Sequence, residues 1–464
     1  MIEDVADEIT VEGAASLQNL MRAAGEHRQT EFAPSDGSFV PSVPHTLDDL
    51  GLNATILEQL IVKSLHFRGE VIGRDLAQGL GIKYSIIDPI MESLKRYRLV
   101  EVKGSLGFGN ISAVFALSEA GRSRAREFLE NNQYFGAAPV PIRQYTHAVR
   151  AQRLKSGWLT LEALASAYRH MVVTPEIMAQ IGPAVNSAKS FLVYGQPGNG
   201  KTYLAEALFR LQSEPVYVPY AIECQGTIIK LFDPVYHQPI DEAEASITSL
   251  SHDRLYDGRW VRCRRPFIVT GGELSLDMLD LSFNTAARVY DAPFQLKANN
   301  GIYLIDDFGR QKATPAEVLN RWIVPMDRRV DYLTFHTGGK VEVPFEAFLI
   351  FSTNLRPEQL GDEAFLRRIQ YKMLLRNPSE PEFRAIFQQV CGKENLSISA
   401  GVLDEFLDRH YKRSAKPFRR CQPRDVISHA VDLIHFEKLP VELTPDVLDR
   451  AFTSCFLDTS GMDD

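Results

Sequence analysis

The sequence predicts a multidomain α/β protein whose central part is a three-layer αβα sandwich. The chain has 464 residues, too many for one ordinary domain. From about Ser190 to Asn377, short apolar runs alternate with segments of helical spacing, which is typical of a parallel sheet covered by helices. Strand signals fade after Asn377, and the remaining apolar spacing indicates a helical C-terminal domain.

Composition divides the chain into five segments. The first carries eight acidic and two basic side chains and ends in Gly, Ser and Pro, a composition that is typical of disorder. Gly and Pro also interrupt the pattern after residue 132. The predicted segments are an acidic, mostly disordered tail over 1–46, an α+β front domain over 47–132, a linker over 133–160, the αβα core over 161–377 and a helical lid over 378–464.

Charge and hydropathy exclude some classes of protein. The net charge of −8 and pI of about 5.8 argue against a protein that coats nucleic acid through bulk charge. No run of about 18 apolar residues predicts a membrane span, and the acidic N-terminus lacks a signal-peptide pattern, so we expect a cytoplasmic protein. The five cysteines are scattered and predict reduced thiols; they are Cys224, Cys263, Cys391, Cys421 and Cys455.

An apolar strand signal, Phe191–Tyr194, runs directly into a glycine-rich loop and then into a helical segment. The loop fits the pattern G-x-x-x-x-G-K-T, whose glycines let successive backbone N–H groups converge on phosphate oxygens. This unit identifies the core as a P-loop NTPase αβα sandwich, in which Lys201 reaches the β- and γ-phosphates of ATP and Thr202 ligates Mg²⁺. The predicted nucleotide-binding residues are Gly195, Gln196, Pro197, Gly198, Asn199, Gly200, Lys201, Thr202 and Tyr203.

A second apolar strand signal, Ile302–Ile305, ends in the adjacent carboxylates Asp306 and Asp307. Ligands of parallel α/β sheets bind beyond the carboxyl ends of the strands, so these side chains are placed to complete a Mg²⁺ site. We predict that Asp306 holds Mg²⁺ through water. Asp307 is predicted to orient or deprotonate the attacking water.

The order of three further features resembles the AAA+ superfamily over about residues 165–458. Phe348–Asn354 resembles the sensor 1 strand of that superfamily. Glu363–Arg368 resembles the helix end that carries an arginine finger, and Gln422–Asp425 resembles the start of the sensor 2 helix. The resemblance implies an ATPase whose site is shared between neighbouring subunits.

The resemblance also implies roles for individual residues. Asn354 would hold the attacking water, and Arg424 would touch the γ-phosphate. Arg368, favoured over the adjacent Arg367, would be the arginine finger that reaches the nucleotide of a neighbouring subunit. Val172–Val173 lie where AAA+ proteins contact adenine, although a pair of core valines explains these residues equally well.

Two departures from a minimal core are expected. Arg329–Pro344 has the apolar spacing of a hairpin around Gly338-Gly339. Its place before the sensor 1 strand resembles the AAA+ branch that includes MoxR-type and chaperone-like proteins. Pro219–Asn300 is longer than a minimal AAA+ core and predicts an insertion between the two nucleotide motifs.

The front domain resembles a winged helix-turn-helix, because three helical segments are followed by two strands and a last helix. From residue 48 to residue 130 there are eleven basic and eleven acidic residues. The presumed recognition helix carries Asp88, Pro89 and Glu92 where DNA-reading helices place hydrogen-bond donors or basic side chains. The sequence therefore favours docking of protein over binding of DNA and leaves DNA open.

These features together predict an oligomeric, ring-forming AAA+ ATPase that uses ATP and Mg²⁺ to remodel an unidentified protein partner in a chaperone-like way. A DNA-linked ATPase acting as a transcriptional or replication-type switch is the first alternative. A nucleotide-gated scaffold with little turnover is the second.

Overall fold

A computed structural model describes residues 39–154, 159–211, 214–240, 256–361 and 363–456. Most of the predicted acidic tail, residues 1–38, lies outside the described residues. Among the helices that are described, none is both long and apolar enough to cross a lipid bilayer.

The described residues contain both strands and helices; among them, strands follow one another without an intervening α-helix between residues 216 and 291 and between residues 330 and 353. The strands are β1 Val71–Ile72, β2 Val100–Ser105, β3 Ala113–Leu117, β4 Val140–Pro141, β5 Ser190–Tyr194, β6 Val216–Pro219, β7 Ala221–Cys224, β8 Thr227–Lys230, β9 Trp260–Cys263, β10 Phe267–Thr270, β11 Ser282–Asn284, β12 Val289–Asp291, β13 Ile302–Ile305, β14 Val330–Thr334, β15 Lys340–Pro344, β16 Phe348–Thr353 and β17 Tyr371–Leu374. The helices are α1 Leu47–Leu50, α2 Ala54–Arg68, α3 Gly73–Leu80, α4 Tyr84–Arg96, α5 Glu119–Asn131, α6 Ile142–Ala151, α7 Leu161–Tyr168, α8 Pro175–Ser187, α9 Lys201–Phe209, α10 Phe294–Lys297, α11 Pro315–Arg321, α12 Ile323–Arg328, α13 Glu363–Leu366, α14 Glu380–Lys393, α15 Ala400–Leu407, α16 Gln422–Glu437 and α17 Pro445–Cys455.

The core is a five-stranded sheet in the order β10-β13-β16-β5-β17, and each neighbouring pair of these strands is parallel. Successive side chains of a strand point to opposite faces. In β5, Phe191 and Val193 pack against α7, α8 and α9, whereas Leu192 joins the cluster around Trp322 on the other face. Helices therefore cover both faces, which explains the near-continuous apolar strands and confirms the predicted αβα sandwich.

A second β structure, which we call the inserted β module, combines β4, which precedes the core in the chain, with segments that lie between the elements of the core. Its main sheet has the order β11-β12-β8-β7-β4, and β6 pairs with β9 beside it. The hairpin β14–β15, at the place where the sequence predicts one, packs Leu333 and Val341 into the same apolar cluster as Trp260 and Tyr290. The hairpin is thus part of this module rather than a free arm.

The front module, residues 47–138, consists of helices α1 to α5 and the antiparallel sheet β1-β3-β2. Asn53 caps α2 by accepting a hydrogen bond from the Thr55 N–H, and Gly81 ends α3 with a φ of 70°. The apolar cluster of this module continues into Ala221 and Ile228 of the inserted β module. The two modules therefore share one hydrophobic core.

The segment predicted as a linker, residues 133–160, is folded where the structure describes it. The Ala138 N–H donates to the Leu80 carbonyl, which joins this segment to the front module. Val140, Tyr145 and Val149 are then buried in the inserted β module. Its Gly and Pro residues mark a turn between two buried stretches, because the apolar positions beside them pack in two neighbouring cores.

The last eight residues of the predicted tail also make contacts. The Phe39 ring lies edge-on to Trp260 with 6.4 Å between ring centroids, and the Asp257 N–H donates to the Pro41 carbonyl. These residues lack charge, unlike the acidic stretch before them, so they can lie along the inserted β module.

The C-terminal helical module, residues 379–456, has its own core around Phe383, Phe387 and Phe406. Its first helix, α14, starts at a capping box in which the Ser379 and Glu382 side chains each bind the backbone N–H of the other residue. The module lies against the core beside the loop that follows β5, where Cys421 contacts Gly198.

Candidate nucleotide-binding site

The loop between β5 and α9 has two glycine positions whose backbone conformation other residues rarely adopt. Gly195 has a φ of 148°, and a Cβ there would lie 2.3 Å from the Leu375 carbonyl oxygen. Gly198 has a φ of 78°, and a Cβ there would lie 2.6 Å from Cys421 Sγ. The two glycines therefore allow the loop to curl tightly in front of the N-terminus of α9, where backbone N–H groups favour an anion.

Lys201 extends back over this loop and is almost completely buried. Its Nζ donates to the carbonyls of Gly195 and Gln196 at 3.0 and 3.2 Å and to Asn354 Oδ1 at 2.6 Å. Burial lowers the pKa of Lys201, and the nearby carboxylates Asp307 and Asp306 only partly oppose this effect. The ammonium group thus has neutral oxygens as its direct partners, and none of the carboxylates that the structure describes lies within ion-pair distance of it.

The carboxyl ends of β5, β13 and β16 meet at one edge of the sheet, because β16 lies between the other two strands. There Thr202 Oγ1 lies 3.0 and 2.9 Å from the two carboxylate oxygens of Asp306. A hydroxyl and a carboxylate are hard oxygen ligands of the kind that Mg²⁺ prefers. The pair predicted to hold Mg²⁺ therefore lies together in the structure.

Asp307 adopts a left-handed backbone conformation, with a φ of 48°. Non-glycine residues adopt this region at a cost, which is smaller for Asp than for most others. The turn brings the carboxylate toward the end of β16, where Asn354 Nδ2 donates to Asp307 Oδ1 at 2.9 Å. Asn354 therefore connects Lys201 on one side with Asp307 on the other.

The chemistry of these groups fits a nucleotide with Mg²⁺. A buried ammonium group without a carboxylate partner is costly, and phosphate oxygens would supply the missing negative charge. The glycine loop offers N–H donors beside the ammonium, and Thr202 and Asp306 offer oxygen ligands next to it. Other predicted loop residues differ in exposure: Gln196, Pro197 and Tyr203 are exposed, and Asn199 is buried.

The two candidate arginine fingers lie after α13 and have different surroundings. Arg368 Nε donates to Asp327 Oδ2 at 3.3 Å, so this guanidinium is held by its own subunit. Arg367 is exposed, and its guanidinium has no hydrogen bond or ion pair to the residues that the structure describes.

Arg424, the predicted sensor 2 residue, lies in the first turn of α16. Its Nε and Nη2 donate to the carboxylate of the adjacent Asp425, and its side chain is 75% exposed. The structure therefore places Arg424 at the surface of the helical module rather than in contact with the loop residues. Just before α16, the Cys421 N–H makes a direct hydrogen bond to the loop.

Three contacts in and around the glycine loop were not predicted from the sequence. Asn199 Nδ2 donates to Asn377 Oδ1 at 2.9 Å, and Arg419 Nη1 donates to the same oxygen at 2.6 Å. The Cys421 N–H donates to the Gly198 carbonyl at 2.8 Å. The available signal was the pair of arginines that precedes Cys421 and the Gln-Pro-Arg-Asp motif. Gln311 was also missed; its Nε2 donates to the carbonyls of Asp306 and Asp307 and so shapes their turn.

Comparisons with known proteins cover different parts of the chain. Residues 379–454 match a family described as a domain of unknown function, DUF8689. No curated protein matches the chain. NtrX from Brucella abortus in complex with ADP is 14% identical, with 71% of this chain and 65% of that chain covered and a TM-score of 0.38. A mutant RuvB from Thermotoga maritima is 13% identical, with 60% and 69% covered and a TM-score of 0.35. This chain thus spans slightly less than two thirds of the NtrX structure.

Proposed function

We propose that this protein binds ATP with Mg²⁺ and hydrolyses it. The observation that carries the proposal is the continuous contact from Lys201 through Asn354 to Asp307, beside the Thr202–Asp306 pair. These five side chains come from three neighbouring strand ends and combine a buried cation, a Mg²⁺-type ligand pair and a carboxylate that can accept a proton. Few functions other than nucleotide hydrolysis need all three together.

The side chains divide the work of the reaction. Lys201 exchanges its neutral oxygen partners for phosphate oxygens and neutralises their charge. Asp307 accepts the proton of the attacking water, and Asn354 orients that carboxylate through its amide. Thr202 and Asp306 would hold Mg²⁺, which supplies charge neutralisation at the β- and γ-phosphates.

Substitutions at Lys201 and Asp307 test this proposal. Lys201→Ala should remove most ATP binding because the phosphates lose their buried cation. Asp307→Asn should retain ATP binding and stop turnover, because an amide cannot accept the proton. Nucleotide affinity is measured by calorimetry and turnover by phosphate release, with thermal melting as the check on folding. Normal hydrolysis by the Asp307→Asn protein would falsify the assignment.

The order of the motifs and the parallel five-stranded sheet support assignment to the AAA+ type, with the hairpin branch as the nearest resemblance. In that reading the C-terminal helical module is the lid, and an arginine after α13 completes the site of a neighbouring subunit. The position of Arg367 and Arg368 after Asn354 and before the helical module, in the order that the AAA+ resemblance requires, supports a shared site. ATPase activity per subunit should then rise with protein concentration, as subunits assemble.

The front module, which we interpret as winged-helix-like, favours a protein partner. On α4, the Asp88 and Glu92 carboxylates face outward beside Asn110, whose Nδ2 donates to both at 3.0 and 2.7 Å. The tip between β2 and β3 carries the apolar residues Leu106 and Phe108, and Phe108 is fully exposed. DNA-binding surfaces need basic groups that contact phosphates, whereas exposed apolar groups are typical of protein contacts.

The proposed activity is therefore remodelling of a protein partner, driven by ATP in an oligomer. A client can be captured with the Asp307→Asn protein, which should keep ATP and its partner bound. Binding of the full chain to duplex DNA, with an affinity that falls steeply as salt is raised, would favour the DNA-linked alternative. A single-turnover ATPase rate close to the rate of uncatalysed ATP hydrolysis in water would favour the nucleotide-gated scaffold.

A further inference from the structure

The loop that follows β13 is fixed to its surroundings at two places. In its first part Phe308 is buried, and its N–H donates to the Ser352 carbonyl of β16 at 2.7 Å. Further along, Ala313 is buried, and its N–H donates to the Leu274 carbonyl at 3.3 Å. The half-buried Gln311 lies between these two anchors in the chain. The course of the loop is therefore held without the Gln311 side chain, which is free to fix the local backbone.

Both ends of the Gln311 amide bind backbone groups of this loop. Its Oε1 accepts from the Gly309 N–H at 2.7 Å. Its Nε2 donates to the Asp306 carbonyl at 2.8 Å and to the Asp307 carbonyl at 3.2 Å. One side chain thus binds the backbone on both sides of Phe308.

The turn that Gln311 closes is the one in which Asp307 has a φ of 48°. This conformation is unfavourable for a residue with a side chain, and it persists where the surroundings hold it. It brings the Asp307 carboxylate to Asn354, whose Nδ2 donates to Oδ1 at 2.9 Å. Without the Nε2 donor, backbone conformations with negative φ become more populated at Asp307, and in them the carboxylate no longer faces Asn354.

We propose that Gln311 is a positioning residue for the hydrolysis step, because its amide holds the Asp307 backbone in the conformation that directs the carboxylate toward Asn354 and the attacking water. The inference rests on the proposed function, in which Asp307 accepts the proton of that water. The hydrogen bonds of Gln311 go to backbone groups of the loop, whereas Lys201 binds the phosphates. Loss of the Gln311 amide should therefore slow turnover and leave ATP affinity unchanged.

The Mg²⁺ ligands should stay in place when Gln311 is replaced. The Asp306 N–H donates to the Thr270 carbonyl of β10 at 2.8 Å, and the Asp306 carboxylate is bound to the Thr202 hydroxyl. Both contacts are independent of the Gln311 amide. The Mg²⁺ dependence of ATP binding should thus separate a displaced Asp307 from a general collapse of the site.

The test compares two variants of the full chain. Gln311→Met keeps a similar volume and removes the three hydrogen bonds. Gln311→Glu keeps the acceptor for the Gly309 N–H and removes both donors, so it shows which end of the amide matters. Each should lower kcat by roughly tenfold to a hundredfold, the range for the loss of two neutral hydrogen bonds. Gln311→Met should retain the wild-type ATP affinity, measured by calorimetry, and the wild-type Mg²⁺ dependence.

Gln359→Met is the matched control. The Gln359 Oε1 accepts from the Arg356 N–H at 2.9 Å, so this glutamine also binds backbone in a loop, here the one that follows Asn354. Gln359→Met should keep the wild-type kcat. A crystal structure of the Gln311→Met protein provides a measurement that does not depend on turnover. In it, Asp307 should have left the left-handed region, and the distance from its carboxylate to Asn354 Nδ2 should exceed that of a hydrogen bond.

Thermal melting shows whether each variant folds, and Gln311→Glu carries the same comparison if Gln311→Met does not. The positioning role would be overturned by wild-type turnover in either Gln311 variant. It would also be overturned if the loss of kcat in Gln311→Met were matched by an equal loss of ATP affinity. A wild-type chain that binds ATP and Mg²⁺ but does not hydrolyse ATP, or that does not bind ATP, would instead refute the proposed function.

Discussion

Replacement of Arg259 by Met should weaken the attachment of the front module to the inserted β module. Arg259 and Asp257 form an ion pair in the inserted β module, with both side chains only 2% exposed. The Arg259 guanidinium also donates to the Leu50 carbonyl at 3.2 Å, to Gln144 Oε1 at 3.1 Å and to the Pro139 carbonyl at 3.5 Å. This side chain therefore binds α1 and the segment after α5 to the inserted β module.

The expected loss follows from the burial of the pair. Met fills a similar volume but leaves the Asp257 carboxylate buried without its counter-charge. Removing one partner of a buried ion pair costs about 3–5 kcal/mol, whereas removing both charges is often nearly neutral. Arg259→Met should therefore lower the free energy of unfolding by about 3–5 kcal/mol. Adding Asp257→Asn to the same chain should restore part of that loss.

The free energy of unfolding of both variants is measured by urea unfolding, followed by tryptophan fluorescence. Trp260 is a suitable probe because it lies beside the pair and its Nε1 donates to Asp257. Limited proteolysis then shows whether the front module separates. Arg409→Met is the control, because that arginine is 46% exposed and an exposed pair contributes about 1 kcal/mol or less. The proposed role of the buried pair would be contradicted by a loss of unfolding free energy no larger than that of the control. It would also be contradicted by a double variant no more stable than Arg259→Met alone.

Three further outcomes are expected. Asp306→Asn should raise the Mg²⁺ concentration needed for half-maximal ATPase activity, because an amide binds this cation less well than a carboxylate; an unchanged Mg²⁺ titration would contradict the ligand role. The Arg368→Ala protein should bind ATP but hydrolyse it poorly. Mixing it with the Lys201→Ala protein should restore ATPase activity at interfaces that combine an intact loop with an intact arginine finger. A protein that sediments as a monomer and shows no recovery of activity would exclude a shared site. Burial lowers the pKa of Lys63 from 10.5 to about 8. Between pH 8 and pH 10.5 the unfolded chain therefore holds more protons than the folded chain. In this range the free energy of unfolding, relative to that of Lys63→Met, should rise by up to about 1.4 kcal/mol per pH unit. Below pH 8 the difference should be constant, and a pH-independent difference up to pH 10 would contradict the shift.

Local sequence patterns were sufficient to predict the αβα fold class and the contiguous motifs of the site. Gly195 to Thr202 is one unbroken stretch, so its strand, loop and helix context can be recognised without any tertiary contact. Asp306, Asp307 and Asn354 each follow an apolar strand. Parallel strands present their carboxyl ends at one edge, so the rule of parallel sheets was enough to place Asp306 and Asp307 at the ligand-binding edge, whereas the role of Asn354 came from the AAA+ resemblance.

The distant groups that touch these motifs are known from the folded structure and not from local patterns. Arg420 Nη1 donates to the Val172 carbonyl across 248 positions of the chain, and nothing in the spacing of either residue indicates the other. The folded state of residues 133–154 likewise depends on cores supplied by other segments, so Gly136 and Pro139 indicated a linker from local composition alone. The surroundings of Arg368 and Arg424 depend on Asp327 and Asp425, since the direction of a long, flexible side chain is set by the partners it finds. Short-range patterns encode strands, loops and helix starts, whereas contacts between modules depend on how complete elements pack.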